Sequence, residues 1–413
     1  MYREWAAKNA IELPPDKVDF TQKTDAMVKF FIHVTDEYHR EMGEFLRNEI
    51  GVKVPITGSN WTRNTSLLAS LNKLDYTDSH AYWNHPKAGG EFNTNSMLRN
   101  ESIITDGLGF QKLAGKPFFV SEWDAPWPYE FRAELPAWIA AVSAFQNWNG
   151  LTVYTYRHSS VPTDALSGSF ETFNDPARFG LFPIASLIYR RGDVTPGQTV
   201  KRLVHSAQVA ETTKSPSSWS LPALRSLSNI YRFEGQFTDA TTPNDITPKD
   251  QSLINGTEIT SENGQIKRDL KNASVVIDTP RSQVVSSFFQ NKKSFSTNDM
   301  TVAINDQFAT VALSSPSEKP INQSDKLYFI VVGRAENTGF SYAFARNKAV
   351  TRGNGPILTD HINATVSIKT ANTALKVYPM ANTGEKLPAI PSKYEDGRLS
   401  FTTSANTIYY VIE

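Results

Sequence analysis

Near Gly192 the chain changes character, and this limits its possible folds more than any other feature. Before it, strand-like and helix-like segments alternate. From Asp25 to Asn48, Met27, Phe30, Phe31, Val34, Tyr38, Met42, Phe45 and Leu46 recur at helical spacing. Thr24 or Asp25 would cap this helix, Gly51 would end it, and its apolar stripe reads as core. Four strand candidates follow: Lys53–Thr57, Tyr76–Trp83, Phe118–Glu122 and Leu151–Tyr156. Helical patterns run over Ala133–Trp148 and Leu181–Arg190. Alternation of this kind predicts parallel strands with helices outside, in a barrel or an open sheet.

After Gly192 the reading is different. Residues 195–225 are rich in Ser, Thr and Pro and read as a connection. Beyond them, short alternating segments are separated by the turn signals Asn255-Gly256, Asn263-Gly264, Arg352-Gly-Asn-Gly355 and Asp396-Gly397. The best strands are Ser274–Asp278, Thr301–Ile304, Leu327–Val332, Ala364–Ile368 and Thr407–Ile412, for which a β-sandwich is the default. The expected division is 1–195, a connection at 196–225, and an accessory β-domain at 226–413.

Composition removes several functional classes. Lys+Arg and Asp+Glu are both 42, so no basic surplus exists to hold a phosphate backbone, and nucleic acid is not an expected partner. With no cysteine, disulfides, thiolate metal sites and a Cys nucleophile are all excluded. The seven His show no metal-binding spacing, so neither a metal nor another cofactor is expected. No apolar run approaches membrane-spanning length, and Met1 is followed by charged and polar residues instead of an apolar signal core.

The chemistry gathers at strand ends. Strict alternation puts Phe118, Val120 and Glu122 on one face, and His80 and Tyr82 on one face of their strand. In the last strand Leu151 and Val153 alternate with Thr152, Tyr154 and Tyr156. A carboxylate at a strand end suits attack on an anomeric carbon, and a Tyr hydroxyl or neutral His beside it can hold it ionised. Flat rings at Trp61, Trp83, Trp123, Trp127, Tyr154 and Tyr156 can stack on sugar faces; each can equally pack beneath a helix.

Three segments carry a resemblance: Asp78-Ser-His-Ala-Tyr-Trp-Asn-His-Pro86, Pro117-Phe-Phe-Val-Ser-Glu-Trp-Asp124 and Val153-Tyr-Thr-Tyr156. Together they resemble strands six to eight of the cellulase-like clan of retaining (β/α)8 glycoside hydrolases, with Val52–Trp61 as strand five. The resemblance covers roughly residues 20–190. It implies an α/β plus all-β chain, an incomplete (half) (β/α)8 TIM-type barrel followed by a C-terminal β-sandwich of the kind that trails such barrels in large bacterial proteins. It also implies Glu122 as catalytic nucleophile, His80 and Tyr82 lining the sugar subsite, and Asn60, Trp61, Trp83, Trp123, Trp127, Tyr154 and Tyr156 around it.

The clan's acid/base Glu, in an Asn-Glu pair ending strand four, precedes everything matched here. Asn48-Glu49 and Asn100-Glu101 do not fall at strand ends. The expected function is hydrolysis of β-linked oligo- or polysaccharide with retention, through Glu122. The alternative is a non-catalytic carbohydrate-binding or assembly protein. A homodimer completing the barrel is the expected partner arrangement, and the resemblance implies a secreted or periplasmic setting for full-length relatives.

Overall fold

The computed structural model describes residues 1–413 except 61–63, 88–89, 162, 216–225, 239–246, 254–255, 306 and 404–405. Trp61, Asn255 of one turn signal and the end of the expected connection therefore lie outside the described residues. Helix α1 (Tyr2–Lys8) packs on the long α2 (Asp25–Glu44), and α3 is Thr65–Leu71. Thr24 caps α2 by accepting the Met27 N–H at 3.2 Å, and Asn64 caps α3 by accepting that of Leu67 at 2.8 Å. The end of α2 widens into a π-turn over Phe45–Glu49, and Gly51 turns the chain with φ of +77°.

The first sheet has three parallel strands, β1 (Thr77–Tyr82), β2 (Phe118–Asp124) and β3 (Gly150–Val153), in that order. Helix α4 (Leu135–Phe145) joins β2 to β3, and α5 (Phe182–Arg190) follows. A second parallel pair joins β4 (Val200–Ser206) to β5 (Arg232–Thr238).

The rest is antiparallel. Its strands are β6 (Glu258–Thr260), β7 (Ile266–Asp269), β8 (Ser274–Asp278), β9 (Ser282–Phe288), β10 (Ser294–Ser296), β11 (Met300–Ile304), β12 (Phe308–Ser314) and β13 (Leu327–Val332). Two hairpin-like pairs follow, combining β14 (Ala335–Thr338), β15 (Ser341–Tyr342), β16 (Ala349–Thr351) and β17 (Asn354–Thr359). The last strands are β18 (Ala364–Lys369), β19 (Val377–Pro379), β20 (Ser392–Glu395), β21 (Arg398–Thr402) and β22 (Tyr409–Ile412). They form a five-stranded sheet, β10-β11-β18-β21-β20, and an eight-stranded sheet, β19-β22-β13-β12-β9-β8-β7-β6.

Alternation explains how these sheets stack. On β12, Val311 and Leu313 face the five-stranded sheet, where they join Val302, Val366 and Phe401 in one core. Ala312, with Ile330 and Val332 of β13, points the other way into a second core with Trp138, Val142, Ile184 and Ile188 of α4 and α5. Both faces of β9 and β12 are therefore buried along their whole length. The far side of the helix layer meets Phe118, Val120 and Trp123 of β2 in that same core. Helix α4 lies between two sheets, and its Leu-Pro-Ala-Trp-Ile-Ala-Ala-Val sequence is apolar all round, as such a position requires.

This architecture corrects the expected fold class. A half (β/α)8 TIM-type barrel needs four consecutive parallel strands with helices as an outer ring. Residues 53–57 contain no strand. Pro55 has no N–H to offer a ladder, and Ile56 and Thr57 are tied instead to Asp75 and the Tyr76 carbonyl. The parallel sheet stops at three strands, and an antiparallel sheet covers α4 and α5. A homodimer thus has no half barrel to complete. Helix α2 also departs from expectation. It buries Met27, Val28 and Phe30, while Phe31, Val34, Tyr38, Met42 and Phe45 form an exposed apolar stripe. Among the described residues, no helix is long and apolar enough to cross a membrane.

Candidate functional site

Strict alternation fails on β2, and that failure builds the site. A bulge at Ser121 shifts the register so that Ser79 faces Val120 but His80 faces Glu122. Bulges of this kind re-aim side chains. Phe118, Val120 and Trp123 stay on the buried helix side, while Glu122 turns to the other face. The expected common face for Phe118, Val120 and Glu122 is thereby corrected. Asp78 fixes the bulge by accepting the Ser121 N–H at 3.1 Å.

Glu122 Oε2 accepts a hydrogen bond from the Tyr82 hydroxyl at 2.5 Å and lies 3.1 Å from His80 Nδ1. The glutamate side chain is 27% exposed and the imidazole 9%. Burial, then the hydrogen bond and charge of Glu122, hold the Tyr82 phenol well above its usual range, so it stays a neutral donor. A short O–H···O contact to a carboxylate is a strong, charge-assisted interaction.

Aromatic rings cluster around Tyr82. Tyr82 meets His85 at 5.0 Å, Phe170 at 5.6 Å and Tyr154 at 6.3 Å between centroids, all edge-on. Tyr154 also contacts Phe170 and His158. Tyr156 is exposed beyond them, against Phe173 and Phe179. Leu151 and Val153 pack on the core while Thr152, Tyr154 and Tyr156 face outward, as their alternation indicates.

The tryptophans sit elsewhere. Trp123 is buried against Phe182, and Trp127 is fully buried, donating to Glu336 at 2.6 Å beneath the Arg352 guanidinium. Trp83 is half-buried on the core, its indole N–H held by the Asn95 carbonyl at 2.8 Å. Asn60 is half-buried in the loop before α3, and Trp61 lies outside the described residues. Sequence reasoning missed Phe170 and His158, and read His85 as structural. Phe170 and His158 belong to a loop without periodicity, which left no signal for their convergence on Tyr82 and Tyr154.

Behind the site runs a buried ionic chain. Asp124, two residues beyond Glu122, pairs with Arg178 at 2.5 Å. Arg178 and Arg132 both hold Asp175 at 2.7 Å, and Arg132 continues to the Ala335 carbonyl and Glu336. Burial pushes Asp124 up to about 6 despite Arg178. Burial acts the same way on Asp175, but its two guanidinium partners outweigh it and hold that carboxyl below its usual range. The chain ties the end of β2 to β14. Among the described residues, no group of three or more His, Asp or Glu is placed to hold a metal ion.

The chain matches no family model, no curated protein and no solved structure. This absence, with antiparallel sheets making up most of the molecule, overturns the resemblance to the cellulase-like clan. The three segments meet in space, but the architecture around them is not that of the clan.

Proposed function

We propose that the surface at Glu122 takes a β-linked saccharide and that Glu122 attacks its anomeric carbon. The observation supporting this is the carboxylate beside Tyr82 and His80, partly open to solvent and next to the ring cluster around Tyr82. In the first step a Glu122 oxygen forms a bond to the anomeric carbon as the bond to the leaving oxygen breaks, its electron pair going to that oxygen. Water then hydrolyses the glycosyl ester, restoring Glu122 and giving net retention. An aryl leaving group of low pKa departs without protonation, so a dinitrophenyl β-glycoside is the direct probe. The unaltered chain should turn it over and Glu122→Gln should not.

A second reading, saccharide binding without turnover, is favoured by how nearby carboxylates are engaged. Asp124 is paired with Arg178, and Glu171 accepts the His158 and Ser159 N–H groups and the Ser167 hydroxyl. Neither is poised to protonate a natural leaving group. Oligosaccharide binding with no turnover of the activated substrate would decide for it.

We also propose that two copies associate through α2. Its exposed residues Phe31, Val34, Tyr38, Met42 and Phe45 are spaced symmetrically about Tyr38, so an antiparallel twofold sets Phe31 against Phe45 and Val34 against Met42. With Phe20, whose ring lies 6.4 Å from that of Phe31, the exposed apolar surface reaches roughly 500 Å², against the ~800 Å² per partner of a standard interface.

A further inference from the structure

A cleft of about 1070 Å³ opens where the loop before α5 meets the edge of the eight-stranded sheet. Phe179 lines one side, Tyr409 and Leu358 another. A Cβ at Gly180 would stand 3.0 Å from the Ile408 side chain and 3.2 Å from the Tyr409 hydroxyl, so the missing side chain there keeps the floor open. Among the described residues, no Lys or Arg lines the cleft. Asp175 is consumed by Arg132 and Arg178, which leaves Asp164 as its other carboxylate. Amides at Asn382 and Asn406 add polar atoms to the wall, as does the side-chain oxygen of Asn174, whose NH2 group is held by the Thr163 and Ala165 carbonyls.

That composition selects a ligand. An anion finds no cation among the described lining residues, and a purely apolar ligand would leave the amides and the carboxylate unused. A neutral polyhydroxylated chain satisfies both kinds of surface, its C–H faces on the rings and its hydroxyls on the amides. The volume sits at the upper end of small-molecule pockets, enough for several sugar units.

Aromatic side chains also run from the Glu122 site toward the cleft. Tyr82, which holds Glu122, lies 6.3 Å from Tyr154. Tyr156, two residues on and 57% exposed, lies 5.6 Å from Phe179. Outward-facing rings thus lead from the carboxylate to the wall of the cleft.

We propose that this cleft is a second saccharide site and that the ligand is an uncharged glycan chain long enough to span both sites. The inference rests on the saccharide reading of the Glu122 site and adds its substrate class, a neutral polymer in place of a single sugar or an acidic glycan. Calorimetric titration of the full chain with neutral β-linked gluco-, manno- and galacto-oligosaccharides of two and six units tests it. For the sugar that binds, the six-unit chain should bind at least ~10-fold tighter than the two-unit one. Phe179→Ala should remove about that gain and leave the two-unit affinity unchanged. Leu358→Arg, at an exposed position, should do the same, and thermal melts establish that both variants fold.

Equal affinity for both lengths, no effect of either variant, or tighter binding of a six-unit uronic acid oligomer overturns the proposal. Six-unit binding that Glu122→Ala weakens and Phe179→Ala leaves alone overturns the cleft but keeps the Glu122 reading. Binding that Phe179→Ala weakens and Glu122→Ala leaves alone overturns the Glu122 reading instead. No binding by any neutral oligosaccharide overturns both.

Discussion

Replacing Tyr82 by Phe removes one atom from the site, and its effect follows from the geometry. The ring contacts with His85, Phe170 and Tyr154 remain, so the ring cluster stays in place. What disappears is the 2.5 Å hydrogen bond to Glu122. Hydrogen bonds to charged groups contribute about 1.5–3 kcal/mol. Glu122 is 27% exposed, so water replaces part of the lost donor and the lower half of that range applies. At 1.36 kcal/mol per tenfold, kcat/KM for a dinitrophenyl β-glycoside should fall by about 10–45-fold. The loss should appear in kcat, because positioning of the attacking oxygen matters most as the new bond forms. Initial rates with a parallel thermal melt measure it. An unchanged kcat/KM, or a loss confined to KM, would refute the claim that Tyr82 holds a reacting carboxylate.

Three other expectations concern the framework. Arg178→Met strands Asp124 and weakens the grip on Asp175, both fully buried, and should cost about 3–5 kcal/mol in urea unfolding. Glu134 accepts from Ser96 Oγ, Met97 N–H and Tyr129 Oη, yet burial pushes it up to about 7. A carboxyl raised in the fold stabilises below its unfolded value near 4.5, and that contribution is lost as pH rises toward 7. Its loss is about 3 kcal/mol, so Glu134→Gln should flatten the stability profile between pH 5 and 7, leaving the smaller slope from Asp124 below 6. Tyr38→Glu, at the centre of the exposed α2 stripe, should convert a dimer to a monomer in sedimentation without lowering the melting temperature by more than a few degrees.

Much of this was legible in the sequence where periodicity carried it. The Leu151/Val153 against Thr152/Tyr154/Tyr156 alternation separated the two faces of β3, and the best antiparallel strands lie close to their expected positions. β9 and β12 escaped notice because both of their faces are buried, which removes alternation. Their Ser, Thr and Gln side chains look like surface residues but are satisfied inside, as in the Ser286–Thr310 hydrogen bond. The bulge at Ser121 left no signature, so the orientation of Glu122 could not be read from spacing. Trp123 and Trp127 show that residue type does not fix place, since rings suited to sugar stacking fill the core instead. The half barrel failed for a related reason. Local strand–helix alternation pointed to four parallel strands, but residues 53–57 form no strand, and a distant antiparallel sheet decided what covered the helices.

The central claim, that Glu122 attacks an anomeric carbon, is tested most directly by trapping. A dinitrophenyl glycoside with fluorine replacing the neighbouring hydroxyl forms the glycosyl ester quickly and releases it slowly. Intact-protein mass spectrometry should show one added fluoroglycosyl group, peptide mapping should place it on Glu122, and Glu122→Gln should not acquire it. No adduct on the folded, unaltered chain, or one on any other residue, would contradict the account.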